Sequence, residues 1–220
     1  MTGTLILVRH GESEWNKNNL FCGWVDVRLS PKGETQARNT AKLIKQFQLK
    51  PQICFTSKLT RANQTTNIIL DELNELYLDV HKTWRLNERH YGALQGRDKS
   101  EVLKEFGEQQ YMFMRRAYDG CPPLATPDND FYSSGDERYT LEREQEPQHQ
   151  ELPKGESLHM TMNRLIPYFE NVIEPHLQNG KTVLCVTHGS IVRAMLKYLF
   201  DIGDEEISMI NVPNGIPLKC

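Results

Sequence analysis

The chain has 220 residues, 38% of them hydrophobic and 25% charged, enough for one large domain that buries about 70% of its unfolded surface. That composition excludes a disordered tail, and no apolar run reaches the ~18 residues of a membrane helix. The net charge of −3 excludes nucleic-acid binding through bulk charge.

The first predicted element is a strand over Thr4–Val8, TLILV. A nearly continuous apolar run suits a strand covered on both faces. Arg9-His10-Gly11-Glu12 ends this run too early for a signal-peptide core, so a cytoplasmic location is expected. Ser30 and Pro31 supply a cap and a first-turn proline for a helix over Lys32–Phe47. Gln52–Thr56 is the second strand, and Lys58–Leu76 the next helix. Ser100–Tyr118 is also predicted helical. Residues 121–150 hold Pro122, Pro123 and Pro127 and then an acidic stretch. A rim insertion at about 121–156, inside one domain spanning 1–220, is the expectation. Nine acidic and three basic residues fall between Asp128 and Glu156, so the remainder carries +3 and can offer a small anion a basic cleft. Glu156–Leu177 returns to a helical pattern that Pro167 and Pro175 should bend, with Ser157 as a helix cap. Thr182–Thr187, TVLCVT, is a third buried strand, followed by a helix over Ser190–Phe200. Strand–helix alternation of this kind predicts an α/β fold with helices on both faces of a sheet.

Five cysteines form no CxxC pair. Cys54 and Cys185 lie in apolar runs and read as buried thiols, which fits a reducing compartment. Seven histidines lack a paired-ligand spacing such as HExxH, and no metal is expected.

Two His-Gly pairs carry the chemistry. His10-Gly11 and His188-Gly189 each follow a predicted strand, and ligands in α/β sheets bind beyond the carboxyl ends of strands. Arg9 and Arg61 bring two guanidiniums to the same edge, where their planar forks match phosphate oxygens. Two histidines and two arginines around an anion make a phosphoryl-transfer site that needs no metal.

LVRHGESEWN, FCGWVDVRLSPKG, TSKLTRANQT, WRLNERHYGALQG, FMRRAYD and VTHGSIVRAMLK together resemble the cofactor-dependent phosphoglycerate mutases of the histidine phosphatase superfamily, in order over Thr4–Leu218. The resemblance implies a mostly parallel sheet of the phosphoglycerate mutase-like fold and interconversion of 3- and 2-phosphoglycerate. It implies His10 as the phosphorylated nucleophile, with Arg9, Asn16, Arg61 and His188 around its phosphoryl group. Glu88 is implied as proton donor and acceptor, a task that asks for partial desolvation of its carboxyl. Ser13, Cys22, Gly23, Arg89 and Tyr91 are implied in the substrate pocket, together with Lys99, Arg115, Arg116, Gly189 and Ser190. The implied cofactor is 2,3-bisphosphoglycerate, which primes His10. The substrate is a small anion, and neither nucleic acid nor membrane is an expected partner. A homodimer or homotetramer is implied.

Three features depart from the family pattern. Ser190 replaces the usual asparagine, and Cys22 stands where serine or threonine is common. After GIPL the family has another strand and a covering tail, whereas the sequence stops at Cys220; an open pocket with more phosphate leakage is the expectation. They support an alternative in which bisphosphoglycerate synthesis or hydrolysis is the main activity. A non-catalytic phospholigand binder is the second alternative, and the intact His10, Arg9, Arg61, Glu88 and His188 argue against it.

Overall fold

The computed structural model describes residues 3–132, 136–139 and 151–220. Its centre is a five-stranded sheet built from β1 (Thr4–Arg9), β2 (Ile53–Thr56), β3 (Val80–Lys82), β4 (Thr182–Thr187) and β5 (Pro217–Lys219). The strand order is β3-β2-β4-β1-β5. All neighbours pair parallel except β1 with β5, which pair antiparallel. The expected mostly parallel α/β architecture is therefore present, with two edge strands added to the three predicted ones.

Side chains on a strand alternate between faces, and here both faces are covered. Leu5, Leu7, Ile53, Phe55, Val183 and Cys185 pack with Leu165, Phe169, Ile173, Ile191 and Met195. That layer comes from α5 (Leu158–Tyr168), a π-turn over Phe169–Ile173 and α7 (Gly189–Phe200). On the other face Ile6, Val8, Cys54, Leu184 and Val186 meet Ala41, Ile44, Ile69 and Leu70, from α2 (Pro31–Gln46) and α3 (Thr60–Leu73). Cys54 and Cys185 are fully buried, and burial pushes each thiol up to about 12.

The helix signals act as expected at their starts. Ser30 Oγ accepts the Gly33 N–H at 3.1 Å with Pro31 in the first turn, and Ser157 Oγ accepts the Met160 N–H at 3.1 Å. Helix interiors differ more. The predicted Ser100–Tyr118 helix is α4 (Lys99–Arg116), kinked at Gly107, whose φ of 74° is open to glycine and strained for other residues. The predicted Glu156–Leu177 stretch divides into α5, the π-turn and α6 (Glu174–Gln178), because Pro167 and Pro175 each lack an N–H for a continuous ladder. Two short helices had no sequence expectation, α1 (Glu14–Lys17) and α8 (Asp204–Met209). The insertion expected at about 121–156 falls partly outside the described residues, at 133–135 and 140–150.

The loop after β1 packs backbone to backbone on the start of α2. A Cβ on Gly11 would lie 2.2 Å from the Gly33 carbonyl oxygen, and one on Gly33 would lie 2.0 Å from that of Glu12. Gly33→Ala is therefore expected to cost about 1–3 kcal/mol through overpacking and to displace the residues beside His10. Urea unfolding should show the loss, and turnover should fall at temperatures where the variant is still folded.

Candidate active site

The three predicted strands end side by side, and their carboxyl ends carry the reactive groups. His10 follows β1, Ser57 follows β2 and His188 follows β4. Because β4 lies between β1 and β2, two histidines distant in sequence become neighbours. Their ring centroids are 4.9 Å apart, inclined at 64°.

His10 is buried and its Nδ1 lies 2.6 Å from the Gly11 carbonyl oxygen. Only an N–H can make that contact, so the ring hydrogen sits on Nδ1 and the lone pair on Nε2. Arg61 Nε donates to Nε2 at 3.3 Å. Arg61 is itself fixed by donating to the carbonyls of Val25 at 2.9 Å and Gly23 at 2.7 Å. Burial, then the charges of Arg61 and Arg9, hold His10 well below its ordinary pKa. The ring is neutral and presents a nucleophilic nitrogen.

His188 caps α7 at its start, and burial followed by Arg61 and His10 keeps it neutral too. Its Nε2 lies 2.8 Å from Ser57 Oγ, while Nδ1 is buried without a partner among the described residues. Arg9 donates through one terminal nitrogen to the Val212 carbonyl at 2.6 Å, and its Nε is buried with no partner among the described residues.

A cleft of about 100 Å³ lies beside this cluster. Arg9, Glu88, Tyr91, Arg115, Arg116, Gly189 and Ser190 line it, together with Arg193, Asn211 and Val212. Glu88 Oε1 accepts the N–H of Arg89 at 2.8 Å and that of Ser190 at 3.2 Å. Its backbone is clamped from behind. The Arg164 guanidinium donates to the carbonyls of Trp84, Arg85, Asn87 and Glu88, and to both carboxylate oxygens of Glu156. Trp24 Nε1 donates to the same Glu88 carbonyl at 2.6 Å. Burial raises the Tyr91 phenol, but Arg89 and Arg115 outweigh it and hold the group below its ordinary pKa. A single carboxylate inside a ring of guanidiniums suits a substrate that carries several negative charges and must exchange one proton.

A family profile described as the histidine phosphatase superfamily (branch 1) matches residues 5–133 and 128–216. Phosphoglycerate mutase 1 of Saccharomyces cerevisiae is 47% identical over 214 residues, covering 97% of the chain and 85% of that protein. The 2,3-bisphosphoglycerate-dependent phosphoglycerate mutase of Corynebacterium jeikeium is 47% identical over 216 residues, covering 98% of the chain and 82% of that protein. The chain belongs to the phosphoglycerate mutase family of the histidine phosphatase superfamily. Among solved structures, a phosphoglycerate mutase from Bacillus anthracis shares the fold with a TM-score of 0.69 at 22% identity, covering 99% of this chain and 86% of that one.

In this family member the remaining predicted residues lie outside the cleft lining. Ser13, Asn16 and Cys22 form one cluster. Ser13 and Asn16 make a reciprocal capping box at α1, and the Cys22 sulfur lies 3.6 Å from Ser13 Oγ and from Asn16 Nδ2. Gly23 contributes its carbonyl to Arg61. Lys99 sits over the Phe21 ring at 5.7 Å, and burial lowers its pKa. Arg89 stacks over Tyr91 at 4.7 Å and donates to the carbonyls of Gly120 and Arg115, so it braces the cleft wall while its Nε stays buried with no partner among the described residues.

Sequence reasoning missed Arg193, Asn211, Val212, Ser57 and Asn214. Arg193 had a readable signal, since it interrupts the apolar run Ile191, Val192, Ala194, Met195 of a buried helix. Its guanidinium donates to the carbonyls of Ile207 and Arg116, and burial lowers its pKa to about 10. Asn214 Nδ2 donates to the His10 carbonyl at 2.7 Å. Nothing local announced that contact across 204 positions.

The buried histidines make the fold acid-sensitive. His10 and His188 are held well below 6.5, and burial lowers His90 to about 4. The unfolded chain protonates these rings near pH 6.5, whereas the native state leaves them neutral. Their contribution is therefore complete above pH 6.5 and is lost as pH falls below it. His90 alone is expected to account for about 3 kcal/mol between pH 6.5 and 4. Urea midpoints measured from pH 7.5 down to 4.5 should fall steeply below pH 6.5, and a flat profile would contradict the neutral native rings.

Proposed function

We propose that the chain interconverts 3-phosphoglycerate and 2-phosphoglycerate by phosphoryl transfer through His10. The observation that carries this reading is the Nδ1 contact with the Gly11 carbonyl, which leaves Nε2 as the nucleophile beside Arg61. The residues fit 2,3-bisphosphoglycerate as the priming ligand. Arg9 Nε and His188 Nδ1 are buried and find no partner among the described residues, and Arg115, Arg116 and Arg193 line the cleft. When bound, that ligand supplies the phosphoryl group that primes His10.

In the working cycle the phosphoryl group on Nε2 passes to the free hydroxyl of phosphoglycerate. A P–O bond forms, the P–N bond breaks, and its electron pair returns to Nε2. Glu88 takes the hydroxyl proton and gives one back when the neighbouring phosphoryl group is returned to His10. Arg9 and Arg61 neutralise charge on the equatorial oxygens, which is most of what such a transition state requires. Asn16 supports the phosphoryl site from α1. Ser13, Cys22, Gly23 and Lys99 are read as further contacts to the substrate, with Tyr91, Arg115 and Arg116 in the cleft wall. We read residues 1–220 as one domain, since the described strands form one five-stranded sheet. Among the described residues no helix is long and apolar enough to cross a membrane.

A coupled assay tests the reading. Turnover of 3-phosphoglycerate should need catalytic amounts of 2,3-bisphosphoglycerate and survive excess EDTA, because guanidiniums carry the charge that a divalent ion supplies in other phosphoryl-transfer enzymes. Turnover that is lost in EDTA and restored by manganese would overturn it.

A further inference from the structure

We propose that Ser57 is a positioning residue that fixes the tautomer of His188, making Nδ1–H a ready donor to the transferring phosphoryl group; this rests on the phosphoryl-transfer reading of the site. The sheet register sets up the contact. Thr56 of β2 pairs with Val186 of β4, so Ser57, one position further on, and His188, two positions further on, leave neighbouring strands close enough to touch. Both are fully buried.

A neutral imidazole has one N–H and one lone pair. If the hydrogen sat on Nε2 it would donate to Ser57 Oγ at 2.8 Å. That oxygen already accepts the Leu59 N–H at 3.1 Å. Among the described residues the Ser57 hydroxyl hydrogen would then have no acceptor, and the His188 Nδ1 lone pair would also be unpaired. It would meet an incoming anion lone pair to lone pair.

If Ser57 instead donates to Nε2, its hydroxyl is satisfied in both directions. One group is left over, Nδ1–H, and it is the buried ring nitrogen without a partner among the described residues. A phosphoryl oxygen completes it. The second arrangement leaves one unsatisfied group where the first leaves two, and an unmade buried hydrogen bond is costly enough to decide between tautomers. His188 needs no protonation to bind an anion, which agrees with its position among Arg61, Arg9 and Arg164.

The test uses the whole protein labelled with nitrogen-15 at histidine. Long-range proton–nitrogen correlation spectra, with and without vanadate, report which ring nitrogen of His188 bears the hydrogen, with His188→Gln giving the assignment. The wild type should show it on Nδ1. Ser57→Ala should shift it wholly or partly to Nε2, weaken vanadate binding about tenfold and lower kcat more than KM changes. Ser57→Thr, which keeps the hydroxyl, should restore all three. A wild-type ring protonated on Nε2, or an alanine variant with unchanged tautomer and vanadate affinity, would overturn the proposal. If Ser57→Ala does not fold, the wild-type and threonine spectra still decide. Phosphoryl labelling of His10 is measured separately, so failure of the functional reading appears there and not in the His188 tautomer.

Discussion

His10→Ala is expected to lose turnover by about 10⁴-fold or more and to take no phosphoryl label from 2,3-bisphosphoglycerate. The wild type should carry an acid-labile, base-stable label at this one position. The size of the effect follows from the geometry. His10 is the ring whose Nδ1–H is held by the Gly11 carbonyl, so its lone pair on Nε2 points toward Arg61. No neighbour can replace that lone pair, because His188 Nε2 is engaged by Ser57. His188→Ala should remove one donor from the site and leave slow labelling of His10. Label at wild-type level in His10→Ala would assign the nucleophile elsewhere.

Arg164→Met is expected to destabilise the fold by about 3–5 kcal/mol, which for a chain of this size lowers the melting temperature by roughly 10–15 °C. Arg164 and Glu156 form an ion pair at 2.7 Å with side chains 3% and 2% exposed. Removing the guanidinium leaves the Glu156 carboxylate buried without its counter-charge. It also strips the carbonyls of Trp84, Arg85, Asn87 and Glu88 of a donor. The same segment positions the Glu88 carboxylate, so kcat should fall even at 15 °C, where the variant remains folded. The exposed Arg38–Glu72 pair is the control, and breaking it should cost under about 1 kcal/mol. Equal losses at the two pairs would mean that burial is not what makes the inner one costly.

Much of the catalytic edge was legible in the chain. TLILV, QICFT and TVLCVT announced three strands because a strand covered on both faces is apolar at nearly every position, and β1, β2 and β4 are those strands. The Ser30-Pro31 and Ser157 caps were legible because capping is local chemistry. His10 and His188 stood out because each follows such a run and precedes a glycine. Arg115 and Arg116 were named through family resemblance and Arg9 through its place at a strand end, whereas Arg193 was missed; the fold gathers these cations with Tyr91 and Glu88 in one cleft.

Other features have no local signature. The edge strands β3 and β5 are three residues each with no fully buried position, so they lack a buried apolar run and exist only through pairing with β2 and β1. Gly107 looked like one residue in a helical pattern, and its left-handed φ appears only in three dimensions. The Arg164 clamp joins a helix to a loop some 80 positions earlier. The sequence by itself determined which residues could do phosphoryl chemistry and which strands would carry them. Only the tertiary structure decided the order β2-β4-β1, which sets His188 against His10 and Ser57 against His188, because strand order depends on long-range pairing and packing that no local periodicity encodes.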